Sequence, residues 1–264
     1  MYNNKIVWIT GASSGIGEAL GYEFAVQGYG LVLSARRKGE LERVRLECID
    51  RGASADRVWV VPLDVSEVES LPGIVDRVWH ECGSIDLLIN NAGVSQRSLC
   101  QDTDISVYRR LLDVDVLGQI ALTRALLPFL LARGEGQLAV TSSVAGKVGV
   151  KYRTGYCAAK HAVLGFFDAL RAEVESQGVS VSTIVPGFIR TDVARNALTG
   201  RGESCGKSDS DVDGGMEVGR CAKVVVAGLA ARKREIVVGD GAEMKVLWLK
   251  RFMPGLVYRL VARA

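Results

Sequence analysis

The stretch from Lys5 to Gln27, KIVWITGASSGIGEALGYEFAVQ, decides how the chain folds. Its opening, KIVWIT, is a short apolar run rich in β-branched and aromatic residues, the signature of a buried strand. Glycines at 11, 15 and 17, with serines at 13 and 14, interrupt the run, and EALGYEFAVQ then resumes with apolar residues at helical spacing. Strand, glycine turn and helix in direct succession begin a βαβ unit. At such a junction glycines let backbone N–H groups approach a pyrophosphate at the positive end of the helix. Gly11, Ser13, Ser14, Gly15, Ile16 and Gly17 are therefore the candidate phosphate-binding turn, in a G-x-x-x-G-x-G spacing preceded by Thr10.

The same alternation continues outward. YGLVLSA reads as a second strand, ELERVRLECID as a charged helix, RVWVVPLDV as a third strand and SLPGIVDRVWHEC as another helix. IDLLIN, GQLAVTSS, VSVSTIVPG and REIVVG complete seven strands. Helical periodicity covers about Ile105 to Ala132, Tyr156 to Ser176 and Glu217 to Ala231. Apolar strands alternating with helices imply an α/β fold: one Rossmann-type domain with a doubly wound parallel sheet of about seven strands and helices on both faces. Residues 1–240 are assigned to that domain and 241–264 to an appended apolar and basic segment. The polar stretch 198–215, LTGRGESCGKSDSDVDGG, reads as a mobile loop or lid.

The end of the second strand bears on the choice of dinucleotide. An enzyme that prefers NAD places a carboxylate there to accept hydrogen bonds from the adenosine ribose. This chain reads LSARRK, with no acid and with Arg36 and Arg37 adjacent. A guanidinium fork suits a ribose phosphate, so NADP(H) is expected in preference to NAD(H).

Composition narrows the remaining classes. With 264 residues and 48% hydrophobic content the chain can bury a large core, and 33 basic against 30 acidic residues is too even for a nucleic-acid binder. Six scattered cysteines form no CxxC pair and have no histidine neighbours, so neither a metal site nor a disulfide framework is indicated, and a reducing cytoplasmic setting is expected. MYNNKIVWIT lacks the apolar core of a leader peptide, and no run of about 20 uncharged apolar residues is available to span a bilayer.

Tyr156 and Lys160 stand four residues apart in TGYCAAKH, which places them on one helix face. That spacing gains weight from its companions: TGASSGIG (10–17), LDV (63–65), NNAG (90–93), SSVAG (142–146), YCAAK (156–160) and PGFIRTD (186–192). In this order and spacing, over roughly residues 5–240, the chain resembles the classical short-chain dehydrogenases/reductases, and more loosely their hydroxysteroid and retinol branch of membrane-associated carbonyl reductases.

The resemblance implies roles residue by residue. Asp64 and Val65 match adenine contacts, and Asn91, Ala92 and Gly93 match the segment that lines the adenosine side and steadies the sheet centre. Ser143 matches the catalytic serine that orients substrate, and Tyr156 and Lys160 match the acid/base and its partner. Pro186, Gly187, Ile189 and Thr191 match the stretch that holds the nicotinamide carboxamide and the phosphates. The family's catalytic asparagine falls on Asp115, in VDVLG, where a carboxylate replaces an amide that could donate. A homodimer or homotetramer is also implied.

The chemistry agrees with these roles. Hydride addition to a ketone or aldehyde leaves an alkoxide that needs a proton, and a phenol is a poor match to neutral pH. A lone ammonium ~5 Å away, at an effective dielectric of ~20, would favour the phenolate by ~3 kcal/mol. Ser143 would stabilise the developing charge on the reacting oxygen. His161 is adjacent to Lys160 but about 100° round the helix, and reads as structural. The expected activity is therefore NADP(H)-dependent interconversion of a carbonyl and an alcohol on a hydrophobic small molecule. A non-catalytic NADP-binding sensor or scaffold and a same-fold epimerase or dehydratase are the alternatives. The substrate itself depends on loop 188–216 and the chain end, and is left open. For MKVLWLKRFMPGLVYRLVARA (244–264), core or dimer packing, a membrane-surface helix and disorder stand side by side.

Overall fold

In the computed structural model, which describes residues 4–263, the alternating sequence becomes one seven-stranded sheet with every strand parallel to its neighbours. The strands are β1 (Ile6–Thr10), β2 (Gly30–Ser34), β3 (Val58–Val60), β4 (Leu87–Asn90), β5 (Gly136–Thr141), β6 (Val179–Pro186) and β7 (Glu235–Val238). The helices are α1 (Gly15–Val26), α2 (Lys38–Asp50), α3 (Leu71–Cys82), α4 (Ile105–Leu112), α5 (Gly118–Arg133), α6 (Thr154–Val174), the single turn α7 (Ser210–Asp213), α8 (Val218–Ala230), α9 (Glu243–Phe252) and α10 (Pro254–Arg263). A five-residue π turn, Asp113–Leu117, joins α4 to α5.

Strand residues divide by parity, as the pleat requires. Val7 and Ile9 face one layer with Leu20, Phe24, Leu41, Val44, Val225 and Leu229 from α1, α2 and α8. Ile6 and Trp8 face the other, with Leu71, Val75, Leu122, Leu126, Val163 and Phe167 from α3, α5 and α6. Both strand faces are apolar because both are covered. The stretch Ile105–Arg133 is long and apolar enough to cross a membrane, yet Leu122, Leu126 and Leu130 belong to this core.

Strand order β3-β2-β1-β4-β5-β6-β7 reverses direction between β1 and β4. The chain leaves these two strands toward opposite sides, which opens a crevice at their carboxyl ends, the place where doubly wound sheets bind ligands. The first turn enters it with Gly11 at φ +67° and Gly15 at φ +59°, conformations that favour glycine.

Loop 198–215 is held more firmly than its composition suggests. Leu198 is buried, its N–H donates to the Ser95 carbonyl at 2.7 Å, and its own carbonyl accepts from the Arg97 N–H at 2.8 Å. One Asp209 oxygen accepts from both Arg97 and Arg153, each at 2.9 Å. The polar residues expected to leave the loop free are the ones that fasten it. At the carboxyl end, α9 and α10 pack against each other, and Trp248 (73% exposed) and Phe252 (68%) remain outside any core.

Candidate active site

The crevice deepens into a cavity of about 620 Å³, within the range of small-molecule sites. Every site residue singled out from the sequence lines it except Gly17. Gly17 lies behind the turn, where a Cβ would strike the Gly11 carbonyl and come within 2.5 Å of the Asn91 amide. Its place is close packing of α1 on the turn. Gly11 needs to be bare for a similar reason, since a Cβ would lie 2.9 Å from the Ala92 Cα.

The floor is a hydrogen-bond lattice across three strand ends. The Thr10 hydroxyl accepts from the N–H groups of Asn91 and Ala92 at 3.0 Å each. The Asn91 amide donates to the Thr10 carbonyl at 3.1 Å, and its oxygen accepts from the Thr141 hydroxyl at 3.2 Å. Asn91 thus ties β1, β4 and β5 together.

At one end of the cavity, Arg36 and Arg37 are exposed at the end of β2, and Arg37 donates to the Ser13 hydroxyl at 3.3 Å. Arg36 approaches Asp64 at 4.0 Å. Burial works against the Asp64 carboxylate, but the Ser66 hydroxyl at 2.7 Å and N–H at 3.0 Å, with Arg36 and Arg110, more than offset it. Asp64 is held below the usual carboxylate range.

Beyond the floor, Ser143 follows β5, and its hydroxyl accepts from the Ala145 N–H at 3.1 Å. Tyr156, half-buried, sits in the first turn of α6 and faces the cavity. Lys160 is buried one turn on; its ammonium donates to the Thr141 carbonyl at 3.1 Å and lies 5.7 Å from the centre of the Tyr156 ring. The ammonium also meets Asp115 Oδ2 at 3.2 Å. Asp115 is fully buried, and its Oδ1 accepts from the Val94 N–H at 2.7 Å. Burial alone would pull the Lys160 ammonium down, but the facing carboxylate outweighs it and holds Lys160 above its ordinary value. The π turn aims Asp115 inward; such turns insert one residue into a helix and commonly mark functional sites. His161 is turned away, with Nδ1 2.8 Å from the Cys157 carbonyl.

Several lining or supporting residues carry no signal in the sequence. Gln96 is buried, accepts from the Gly155 N–H at 2.7 Å and so anchors the start of α6 just before Tyr156. Glu243, the first residue of α9, lines the cavity and accepts from the Phe188 N–H at 3.1 Å. Arg153 and Val212 bring the pinned loop to the cavity wall. These contacts join segments 40 to 60 residues apart with no motif between them.

The family model described as short chain dehydrogenase matches residues 5–202. The chain belongs to the short-chain dehydrogenase/reductase family. This short-chain dehydrogenase/reductase is 39% identical over 253 residues to the human dehydrogenase/reductase SDR family member 7, covering 95% of this chain and 75% of that protein. It is 40% identical over 263 residues to the family member 7-like protein of Anopheles gambiae, covering 99% of this chain and 83% of the relative. Among solved structures, a short-chain dehydrogenase/reductase of Burkholderia phymatum in complex with NAD superposes with a TM-score of 0.84 at 25% identity, over 97% of this chain and 95% of that one. An alcohol dehydrogenase of Thermococcus sibiricus complexed with 5-hydroxy-NADP superposes with a TM-score of 0.75 at 26% identity, over 89% and 96% of the two chains. The family and the fold make this chain a nucleotide-binding oxidoreductase.

Proposed function

We propose that this enzyme uses NADP(H), in preference to NAD(H), to interconvert a carbonyl and an alcohol on a hydrophobic small molecule, with Tyr156 as general acid/base. One observation carries this reading: Tyr156, Ser143 and the glycine turn open into a single cavity. Gly15 borders the cavity with Thr191 opposite, 3.4 Å from where a Cβ would stand, and this gap, which a side chain would fill, fits a dinucleotide pyrophosphate. Ser13, Ser14 and Ile16 would offer backbone and hydroxyl donors there, with Arg36 and Arg37 toward a ribose phosphate, Asp64 and Val65 along the adenine, and Asn91, Ala92 and Gly93 beside the adenosine. Pro186, Gly187, Ile189 and Thr191 would line the nicotinamide end, where the bound coenzyme supplies hydride. Ser143 would hold the substrate oxygen by a hydrogen bond, and Tyr156 Oη would exchange the proton with it. Val94, Val150, Phe188, Val193, Leu198 and Val212 form an apolar part of the remaining wall, beside the polar Arg153, Asp192 and Asn196, and support a hydrophobic substrate with a polar group.

The test is a panel of steroid, retinoid, acyl and xenobiotic carbonyls assayed with NADPH and NADH side by side. Turnover that falls about 10²- to 10⁴-fold in Tyr156→Phe is expected. Coenzyme binding without turnover of any carbonyl would instead favour a sensor or scaffold.

We also propose the apolar and basic segment 244–264 as a contact for an anionic bilayer surface. Lys245, Lys250, Arg251, Arg259 and Arg263 stand against one acid, Glu243, and Trp248, Phe252, Met253, Leu256 and Tyr258 are exposed beside them. Basic charge flanking exposed aromatic groups suits an interfacial helix pair. Six free cysteines support a reducing, cytoplasmic setting. Exposed Ile105, Leu112 and Leu117 support a homo-oligomer, to be measured by light scattering.

A further inference from the structure

Lys160 and Asp115 close on each other with little else in reach. The ammonium has the Thr141 carbonyl at 3.1 Å and Asp115 Oδ2 at 3.2 Å. Asp115 Oδ1 takes the Val94 N–H, while buried Oδ2 has no hydrogen-bond partner among the described residues and meets only the ammonium. Gly93 lies over the pair: a Cβ there would sit 3.2 Å from the ammonium and 3.3 and 3.4 Å from the two carboxylate oxygens. A proton taken up on Oδ2 while Lys160 stays charged would therefore make a buried O–H donor with no acceptor. As carboxylate and ammonium, each group supplies the counter-charge that the other needs in a desolvated place.

The titratable groups acting on Lys160 are Asp115, from the π turn, and Tyr156, from its own helix. Burial pushes the Asp115 carboxyl above its ordinary value, with Lys160 and the Val94 N–H acting against that rise, and Lys160 is the titratable group acting on it. The strand ends packed beneath contribute neutral groups, namely Asn91, Thr141 and Ser142, whose hydroxyl donates to the Lys160 carbonyl at 2.9 Å.

We propose that Asp115 neutralises Lys160, so that Tyr156 faces a closed ion pair in place of a lone cation and keeps its proton to higher pH than a lone cation would allow. The inference rests on Tyr156 as the acid/base and adds a charge-setting role for Asp115, which acts through Lys160 as a positioning residue. A carboxylate 3.2 Å from the ammonium opposes its field at the phenol, and the two charges cancel in large part. At an effective dielectric of ~20 the cancelled part corresponds to about one to two pH units in phenol ionisation.

D115N removes the charge and keeps the side-chain size. Tyr156 ionisation is read without coenzyme or substrate, from the near-ultraviolet absorbance of tyrosinate. The trace of Tyr156→Phe is subtracted from that of the parent, and the trace of D115N/Tyr156→Phe from that of D115N. Tyr156 is expected to ionise about one to two pH units lower in D115N, and the acid limb of alcohol oxidation is expected to move with it. Coincident titrations in the two backgrounds, with near-UV circular dichroism showing both folded, would overturn the proposal. Should D115N fail to fold, Asp115→Ser takes its place in the same subtraction. Turnover that survives Tyr156→Phe overturns the acid/base assignment separately, since the absorbance titration does not depend on turnover.

Discussion

A carboxylate at position 115 changes what a lysine can be. Lys160 is raised above its ordinary value of 10.5 by the facing anion, so it stays protonated across the working range. Any loss of activity on the alkaline side below about that pH should not track Lys160, and a pH profile extended to pH ~10 checks this. Breaking the pair with an apolar residue is a different matter from D115N. Asp115→Leu leaves a buried ammonium with only the Thr141 carbonyl, and about 3–5 kcal/mol of stability should be lost in chemical denaturation. D115N should lose less, because an amide oxygen can still accept from the ammonium. At the other end of the cavity, Arg37→Ala is expected to raise KM for NADPH by about 10- to 100-fold and to leave NADH little affected, as loss of a charge-assisted bond to phosphate would. The identities of these residues were legible in sequence. Their pairing was not: Asp115 and Lys160 meet across 45 positions, and no spacing rule links a π turn to the middle of α6.

At the scale of elements, the strands and helices follow from apolar parity and period, and the glycine turn was legible because β1 and α1 bracket it so closely. What escaped is the support of α6. Gln96 holds the Gly155 N–H, and Gly155 must be bare, since a Cβ would lie 2.7 Å from Leu111 and 2.8 Å from Tyr108. Gln96→Leu should expose that unpaired N–H at a cost of about 1–3 kcal/mol and lower kcat more than it raises KM, because it tilts the helix that carries Tyr156. The polar loop misled for the opposite reason: composition reports solubility, while Asp209 reports attachment. Asp209→Ala should release both arginines, and hydrogen exchange over 198–215 should quicken relative to β5, which serves as the internal standard.

For the whole molecule, acid stability has a definite sign. Asp64 and Glu18 are both held below their usual carboxylate values of 3.8 and 4.5, Glu18 against its own burial and chiefly by Arg43 and Tyr22. Their contribution is complete above those values and is lost as pH falls through the lowered ones, so unfolding midpoints should drop between pH ~5 and ~2. Arg37 and Arg43 reach the same glycine turn through Ser13, which places this acid-sensitive cluster beside the proposed coenzyme site. Vesicle flotation addresses the other pole of the molecule. The 264-residue protein should float with anionic vesicles at low salt, and a Trp248→Ser/Phe252→Ser double variant should not, whereas loss of self-association in that variant would point to a second copy as the occupant.

The Glu243 carboxylate joins that pole to the cavity, for it begins α9 and grips the Phe188 N–H beside the proposed nicotinamide end. Thermodynamic reciprocity then applies: whatever factor a lipid surface adds to dinucleotide affinity, dinucleotide must add to the hold on lipid. A factor above one would hold the loaded enzyme where greasy cargo dissolves, and a factor below one would release it there.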